Sequence, residues 1–118
     1  MTLSGGCEWL IEAYGCDAAS LQSIPKLEAL FSQVTGALSL HPVAEPSWHQ
    51  FPGTGGITGL SLLSESHLTC HTFPEYRSLC LNLFCCRPRE EWDFAGCLKR
   101  LLHAESVRVR RVDRPYTS

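Results

Sequence analysis

Apolar residues along the chain are grouped in short runs separated by glycine, proline and polar segments. Runs of this length, with or without alternation of apolar and polar positions, are typical of β-strands. They occur at 7–14, 57–63, 67–73, 79–86 and 106–112. The segment 41–51 is also extended in character, but Pro42 and Pro46 interrupt it, which favours a strand near a sheet edge.

Two other stretches have the spacing of amphipathic helices. Ser23 followed by Pro25 predicts a helix start, with serine as N-cap and proline in the first turn. Apolar residues then recur at positions 27, 30, 31 and 34, which lie on one helix face. The second helix is predicted at about 90–103, with an apolar stripe at 94, 98, 101 and 102. Acidic residues stand at its start and basic residues at its end, as the helix dipole favours.

The predicted order β-α-β-β-β-β-α-β indicates an α+β fold with a mostly antiparallel sheet. Two helices cover only one face of such a sheet, giving a two-layer sandwich whose other face needs a cover. A second copy of the chain is the simplest cover and predicts a homodimer with four layers, αββα. The 118 residues show no internal repeat, so we expect residues 1–118 to form a single domain.

The composition argues against nucleic-acid-binding and membrane-spanning classes of protein. The net charge of −2 and pI near 6.2 argue against a dedicated nucleic-acid binder, although four arginines crowd positions 108–114. Those arginines fit a solvated strand face better than an RNA contact. No apolar run is long enough to span a bilayer, and residues 1–7 lack the features of a signal peptide. We therefore expect a cytoplasmic protein with no membrane contact.

The seven cysteines, an odd number, indicate free thiols in a reducing compartment. Cys70, His71, Cys85 and Cys86 are possible zinc ligands by residue type. There is no C-x-x-C pair, however, and adjacent residues on a strand point to opposite faces. We expect no metal site.

Chemistry is concentrated in residues 55–86, where Ser66 stands between an acid and a histidine, with His71, Glu75 and a cysteine pair further on. Serine, histidine and acid together are compatible with a hydrolase, but the G-x-S-x-G elbow is missing. A cysteine–histidine nucleophile is also conceivable, but nothing sets either Cys85 or Cys86 against a particular histidine. The residues alone leave these alternatives open.

The run Glu65-Ser66-His67 followed by 71–75 (HTFPE) resembles the E-S-H-x-x-x-H-T-x-P-E signature of the short prokaryotic S-adenosylmethionine decarboxylase proenzymes. Further matches lie at 48–51 (WHQF), 55–59 (GGITG) and 83–86 (LFCC). The resemblance covers nearly the whole chain, and the 65–75 run is highly specific.

The resemblance implies a covalent cofactor made from the chain itself. The Ser66 hydroxyl attacks the carbonyl of Glu65, the peptide bond becomes an ester, and elimination leaves a pyruvoyl group at residue 66. Its ketone forms a Schiff base with the substrate amine and accepts electrons when carbon dioxide leaves. The products are expected to be residues 1–65 (β chain) and 66–118 (α chain). The implied reaction is decarboxylation of S-adenosylmethionine for spermidine synthesis.

The resemblance also assigns site residues. His71 is implied in self-processing, assisted by Thr58, which stands where the family usually has serine. Cys86 is implied to return a proton to the substrate carbon. Phe51 is implied to contact the adenine, and Glu75 the ribose hydroxyls. His67 is expected to be structural.

Strand alternation tests two of these assignments. It places Cys85 on the leucine-rich core face of its strand and Cys86 on the more polar face, where a reacting group belongs. It does not place Ser66 and His71 on the same face. Their meeting needs a bend or bulge, which the resemblance implies.

Two departures from the family pattern bear on substrate choice. Asn82 stands where aspartate is common, and Arg77 where a small residue is common. The first rival is therefore a pyruvoyl-dependent decarboxylase of arginine or ornithine. The second is a homologue that does not cleave itself and acts only as a binding or regulatory partner.

Overall fold

The computed structural model describes residues 4–118, which form one six-stranded sheet and two α-helices. The strands pair antiparallel in the order β2-β3-β4-β5-β1-β6. Short 3₁₀ turns at Ser20–Gln22 and Pro74–Tyr76 precede α1 and β5. The strands are β1 (Gly5–Tyr14), β2 (Ser47–Gln50), β3 (Ile57–Leu62), β4 (Ser66–Phe73), β5 (Ser78–Cys85) and β6 (Ser106–Pro115); the helices are α1 (Ile24–Ala37) and α2 (Phe94–Leu102).

The core lies between the two helices and one face of the sheet. Strands β1 and β5 alternate between buried and half-buried residues, so each contributes one apolar side to this core. Helix α1 buries the four predicted positions, and α2 buries an apolar stripe beside it. The helix-facing residues include Trp9, Ile11, Leu27, Phe31, Leu68, Leu81, Leu83, Phe94 and Leu98. The predicted fold class, an α+β two-layer sandwich, is confirmed.

The strand boundaries agree with the predicted runs to within a residue or two, except for β6. This strand continues to Pro115, three residues beyond the prediction, because it pairs with β1 along the whole length of both strands. The 41–51 segment forms only the short edge strand β2 and a bridge between Pro42 and Leu63. Its position at the sheet edge was predicted from its prolines.

The predicted start of the second helix was wrong. Helix α2 begins at Phe94, because the Asp93 carboxylate caps it by accepting a hydrogen bond from Gly96 N at 2.9 Å. The acidic residues at 90 and 91 resemble a first helical turn in sequence but lie in the preceding loop. That loop is held elsewhere: Arg89 donates to the Leu38 carbonyl at the end of α1 at 2.7 Å.

The second face of the sheet carries no helix, and we call it the open face. It mixes polar groups with exposed apolar ones, such as Leu60 (47% exposed) and Leu62 (60%). The ladder register places three rows of the open face across β3, β4, β5, β1 and β6, of which the middle one is Leu60, Thr69, Asn82, Leu10 and Arg110. Within residues 4–118, no helix is long and apolar enough to cross a membrane.

Candidate active site

The functional residues predicted from the sequence lie at the two ends of β4, the strand between β3 and β5. Ser66 begins β4 and pairs with Cys85, whereas His71 lies near the other end and pairs with Thr58 on β3 and Cys80 on β5. The ladder therefore fixes two separate groups of side chains. Their composition and spacing decide what each can do.

The first group, which we call the cleavage cluster, consists of Glu65, Ser66 and Cys86. Continuing the ladder one residue beyond the Ser66–Cys85 pair sets Glu65 opposite Cys86. The Cys86 thiol accordingly donates a hydrogen bond to Glu65 Oε2 at 3.2 Å. The cluster borders a cavity of about 240 Å³, whose wall also includes residues 39–41 and two arginines, Arg87 and Arg89.

The two adjacent thiols have different environments. Cys85 is 1% exposed, and burial raises its pKa to about 11. Cys86 is half-buried at the cavity, and its pKa is raised first by desolvation and then by the hydrogen bond and negative charge of Glu65. The Cys86 thiol therefore keeps its proton near neutral pH. A thiol in this state acts as a proton donor and not as a thiolate nucleophile.

The second group, which we call the histidine cluster, comprises the predicted residues at the other end of β4: Thr58 and His71 are ladder neighbours, and Phe51 and Glu75 follow the ends of β2 and β4. Thr58 Oγ1 and His71 Nδ1 lie 3.2 Å apart on neighbouring strands, with the donor set by the imidazole tautomer. Phe51 is about half exposed and stacks edge-on against His49, with ring centroids 4.9 Å apart. Glu75 is exposed in the 3₁₀ turn that follows β4. The cluster therefore presents an imidazole, an aromatic face and a carboxylate.

The structure does not bring Ser66 and His71 together, so the predicted bend or bulge was wrong. Every residue of β4 from Ser66 to Phe73 is paired with β5 in one uninterrupted register. Five residues of strand separate Ser66 from His71 by about 17 Å. A continuous ladder also keeps even- and odd-numbered side chains on opposite faces. Within a single chain, the cleavage cluster and the histidine cluster are separate.

Thr72 has a role that was not predicted from the sequence. Its buried hydroxyl donates to the Leu21 carbonyl at 2.7 Å and accepts from Ile57 N at 2.8 Å. These bonds join the 3₁₀ turn before α1 to the start of β3, next to His71. The signal was present as the threonine of the H-T-x-P-E run, but its partners are distant in sequence.

Arg77, which stands where the family commonly has a small residue, lies in the tight turn between β4 and β5. Its backbone has φ 54° and ψ 41°, a left-handed conformation that a small residue such as glycine adopts more easily. Its side chain donates to the Cys16 carbonyl at 2.9 Å and so closes the end of β1. The departure therefore affects the turn between β4 and β5.

The arginine-rich strand β6 is largely paired within the sheet. Arg110 contacts both carboxylate oxygens of Glu12, at 2.9 and 2.8 Å, and Arg114 contacts Glu8 at 2.6 Å. These carboxylates belong to β1, the neighbouring strand. Pairing of this kind favours a structural role for the basic strand. Among residues 4–118, no group of three or more potential ligands is arranged to hold a metal ion, and all seven cysteines are free thiols.

Comparison with known proteins agrees with this architecture. The family model described as S-adenosylmethionine decarboxylase matches residues 7–115. An S-adenosylmethionine decarboxylase proenzyme of Caldanaerobacter subterraneus subsp. tengcongensis is 34% identical over 106 residues, covering 89% of this chain and 84% of that protein. The corresponding proenzyme of Clostridium tetani is 35% identical over 107 residues, covering 89% and 82%.

Among solved structures, the adenosylmethionine decarboxylase of Aquifex aeolicus matches with a TM-score of 0.80. The match covers 99% of this chain and 96% of that chain at 19% identity, and it shows the shared fold. The family model and the two relatives extend the likeness from fold to sequence over nearly the whole chain. The chain therefore belongs to the S-adenosylmethionine decarboxylase family.

Proposed function

We propose that this chain decarboxylates S-adenosylmethionine, using a pyruvoyl group formed from Ser66, and so supplies the aminopropyl donor for spermidine synthesis. The proenzymes of its family are pyruvoyl-dependent and form that group autocatalytically from a serine. The observation that carries the proposal is the hydrogen bond from the Cys86 thiol to Glu65 Oε2, beside the Glu65–Ser66 peptide bond; burial and Glu65 both raise the pKa of this thiol. A proton donor and the bond to be cleaved are thus neighbours.

The surroundings of Ser66 fit a pyruvoyl group. Ser66 is half-buried at the first position of β4, so a group formed there stays attached to a fixed strand. The adjoining cavity is large enough to receive the reacting end of a substrate. When formed, the group supplies an electron sink for the bond that loses carbon dioxide. Cys86 then returns a proton to the carbon from which carbon dioxide has left.

Self-cleavage needs only side chains and backbone of the protein and one water molecule. The Ser66 hydroxyl adds to the Glu65 carbonyl carbon, and the peptide nitrogen leaves to give an ester. Loss of the α-proton of residue 66 expels the Glu65 carboxylate. Water then hydrolyses the carbon–nitrogen bond at residue 66, which leaves the ketone of the pyruvoyl group and releases ammonia. The products are residues 1–65 and 66–118. Both stay in one sheet because β4, in the second fragment, pairs with β3, in the first.

His71 and Thr58 are proposed to assist this step from a second copy of the chain. They lie about 17 Å from Ser66 along β4, too far for proton transfer within one chain. A two-fold axis that runs parallel to the Thr69–Asn82 row, just above the open face, sets the end of one chain's sheet that carries the cleavage cluster over the end of its partner's sheet that carries the histidine cluster. The exposed Leu60 and Leu62 support burial of this face.

The histidine cluster favours a nucleoside substrate. S-adenosylmethionine carries an adenine ring, ribose hydroxyls and a sulfonium cation. Phe51 offers an aromatic face to the adenine or the cation, and the exposed Glu75 carboxylate offers acceptors to the hydroxyls. A pocket for arginine or ornithine instead requires an acid for the distant cationic end. Asn82 removes one candidate acid from β5.

The experiment that tests the proposal is an intact mass of purified protein together with a carbon dioxide release assay. We expect two fragments, split between residues 65 and 66, with a pyruvoyl group on the second. Ser66→Ala should remain one chain, whereas Ser64→Ala, two residues away, should cleave normally. Release from S-adenosylmethionine should exceed release from ornithine or arginine by at least about tenfold in kcat/KM.

The same experiment separates the rivals. An uncut wild-type chain identifies a binding or regulatory homologue, and a cut chain that prefers ornithine or arginine identifies a different pyruvoyl decarboxylase. We place the reaction in the cytoplasm, because seven free thiols are typical of a reducing compartment.

A further inference from the structure

The segment that follows β6 contacts the candidate proton donor. Tyr116 lies beyond the end of β6 and reaches across β1 to the end of β5. Its hydroxyl donates a hydrogen bond to the Cys86 carbonyl oxygen at 2.6 Å, and its backbone N–H donates to the Ser4 carbonyl at 3.0 Å. Tyr116 is thus held at both its backbone and its side chain.

Cys86 depends on such a contact because no ladder holds it. The pairing of β5 with both β1 and β4 ends at Cys85, so Cys86 lies one residue outside the sheet. A side chain on an unpaired backbone samples more positions than one on a central strand. A general acid, in contrast, needs its donor within about 3 Å of the atom it protonates.

Gly6 provides the space through which Tyr116 reaches Cys86. Gly6 pairs with Arg114 on β6 and, one residue beyond the Cys7–Cys85 pair, lies beside Cys86. A Cβ at this position would lie 2.7 Å from the Tyr116 hydroxyl and would collide with the Cys85 carbonyl oxygen. The absence of a side chain at Gly6 therefore makes room both for the backbone of β5 at Cys85 and for the Tyr116 phenol.

Arg114 holds the end of β6 in place two residues before Tyr116. Its guanidinium contacts the Glu8 carboxylate at 2.6 Å and lies 5.9 Å from the Phe84 ring centroid. These contacts join the last strand to β1 and β5 at the row next to Cys86. The Tyr116 phenol therefore extends from an end of β6 that is fixed by these contacts.

We propose that Tyr116 is a positioning residue for Cys86, which fixes the thiol beside Glu65 and Ser66 for proton return. The proposal rests on the proposed role of Cys86 in decarboxylation. Tyr116 does not act in self-cleavage, because the Ser66 attack does not use the thiol. Loss of the Tyr116 hydroxyl therefore slows turnover of the substrate but does not change self-cleavage.

The test compares Tyr116→Phe with Tyr14→Phe, a matched control whose phenol makes no hydrogen bond within residues 4–118. In the uncut Ser66→Ala background, iodoacetamide labelling of Cys86 is followed by peptide mass spectrometry across pH. Tyr116→Phe should label Cys86 several-fold faster and move the midpoint to lower pH, because the released thiol loses its contact with Glu65. Labelling of Cys80, inside β5, should not change.

In the cleaving protein, Tyr116→Phe should cut as wild type does but lose about tenfold in kcat with little change in KM, since misplacement of a proton donor slows chemistry. Two results overturn the inference: Cys86 labelling equal to that of Tyr14→Phe, or faster labelling with unchanged kcat. Failure of the proposed function is recognised separately, because the wild-type chain would then stay uncut or release no carbon dioxide from S-adenosylmethionine. Failure of the proposed role of Cys86 is recognised by full decarboxylase activity in Cys86→Ala.

Discussion

Cys85 and Cys86 are adjacent in the chain, yet only one of them faces the candidate site. Cys85 packs in the core opposite Cys7, whereas Cys86 hydrogen-bonds to Glu65 at the cavity. The division follows from strand alternation, carried one residue past the end of β5. At the residue scale, this difference separates the packing role of Cys85 from the chemical role proposed for Cys86.

Substitution of each cysteine tests that division. Cys86→Ala should still cleave but should lose about a hundredfold or more in decarboxylation, the usual contribution of a general acid. Cys85→Ala should cleave and turn over nearly normally, with a packing loss of about 1 kcal/mol in the free energy of unfolding. Intact mass and carbon dioxide release measure the two effects. A larger activity loss in Cys85→Ala than in Cys86→Ala would contradict the assignment.

The pKa of Cys86 is also open to a direct test. Glu65 raises this pKa through a hydrogen bond and its negative charge, so Glu65→Gln should lower it and move the labelling midpoint of Cys86 to lower pH. The sign follows because removal of a nearby negative charge stabilises the thiolate. Labelling is measured in the uncut Ser66→Ala chain, with Glu45→Gln, an exposed acid before β2, as control. An unchanged midpoint would show that Glu65 does not govern the thiol.

At the scale of elements, Thr72 joins parts of the chain that no ladder connects. Its hydroxyl satisfies both the Leu21 carbonyl of the first 3₁₀ turn and the Ile57 N–H at the start of β3. A buried donor and a buried acceptor thus depend on one side chain. Because Thr72 adjoins His71, the bonds also fix the end of β4 that carries the histidine cluster.

Thr72→Val preserves the shape of the side chain but leaves both backbone groups without their partner. We expect the free energy of unfolding to fall by about 2–3 kcal/mol, the cost of unsatisfied buried polar groups. Thr69→Val is the matched control, since this threonine lies on the open face of the same strand and its hydroxyl makes no hydrogen bond within residues 4–118. Denaturant unfolding of both variants in the uncut Ser66→Ala chain gives the comparison. Equal stabilities would remove Thr72 as a structural link.

At the scale of the whole molecule, the distance between the two clusters is the reason for the proposed site shared between two chains. Helices cover one face of the sheet. Thr58 and His71 lie on the open face, whereas Ser66 lies at the end of β4 and has the parity of the buried residues Leu68 and Cys70. Side chains about 17 Å apart on one strand cannot act on the same bond. In the proposed dimer, two-fold pairing of open faces gives each dimer two complete sites, each with contributions from both chains.

Subunit complementation tests this arrangement. His71→Ala alone should remain uncut, but co-expressed with Cys86→Ala it should be cleaved, because its Ser66 then meets an intact partner His71. Mixed dimers should have one complete site and one doubly defective site, so about a quarter of wild-type activity should return under random pairing. Tagged chains and intact mass identify which copy is cut.

The control is His71→Ala co-expressed with a second His71→Ala copy, which should stay uncut. If the His71→Ala chain remains uncut beside Cys86→Ala although mixed dimers are recovered, the site does not combine residues in this way.

The sequence by itself determined the sheet strands, the helix faces, the separation of Cys85 from Cys86 and the chemistry-bearing run from Glu65 to Glu75. These features are local: they depend on periodicity, on caps such as Ser23, and on the order of residues within one strand. The helix start at Glu90 failed for a related reason. Acidic residues favour a first turn, but the Asp93 cap and the anchored loop before it set where the helix begins.

Only the tertiary structure decided how the site residues are distributed. The uninterrupted pairing of β4 with β5 holds Ser66 and His71 apart, and a ladder register depends on contacts between strands far apart in sequence. The partners of Thr72 and the approach of Tyr116 to Cys86 likewise link residues separated by long stretches of chain. Local pattern determines which face a side chain takes, but the packing of distant elements determines what that side chain meets.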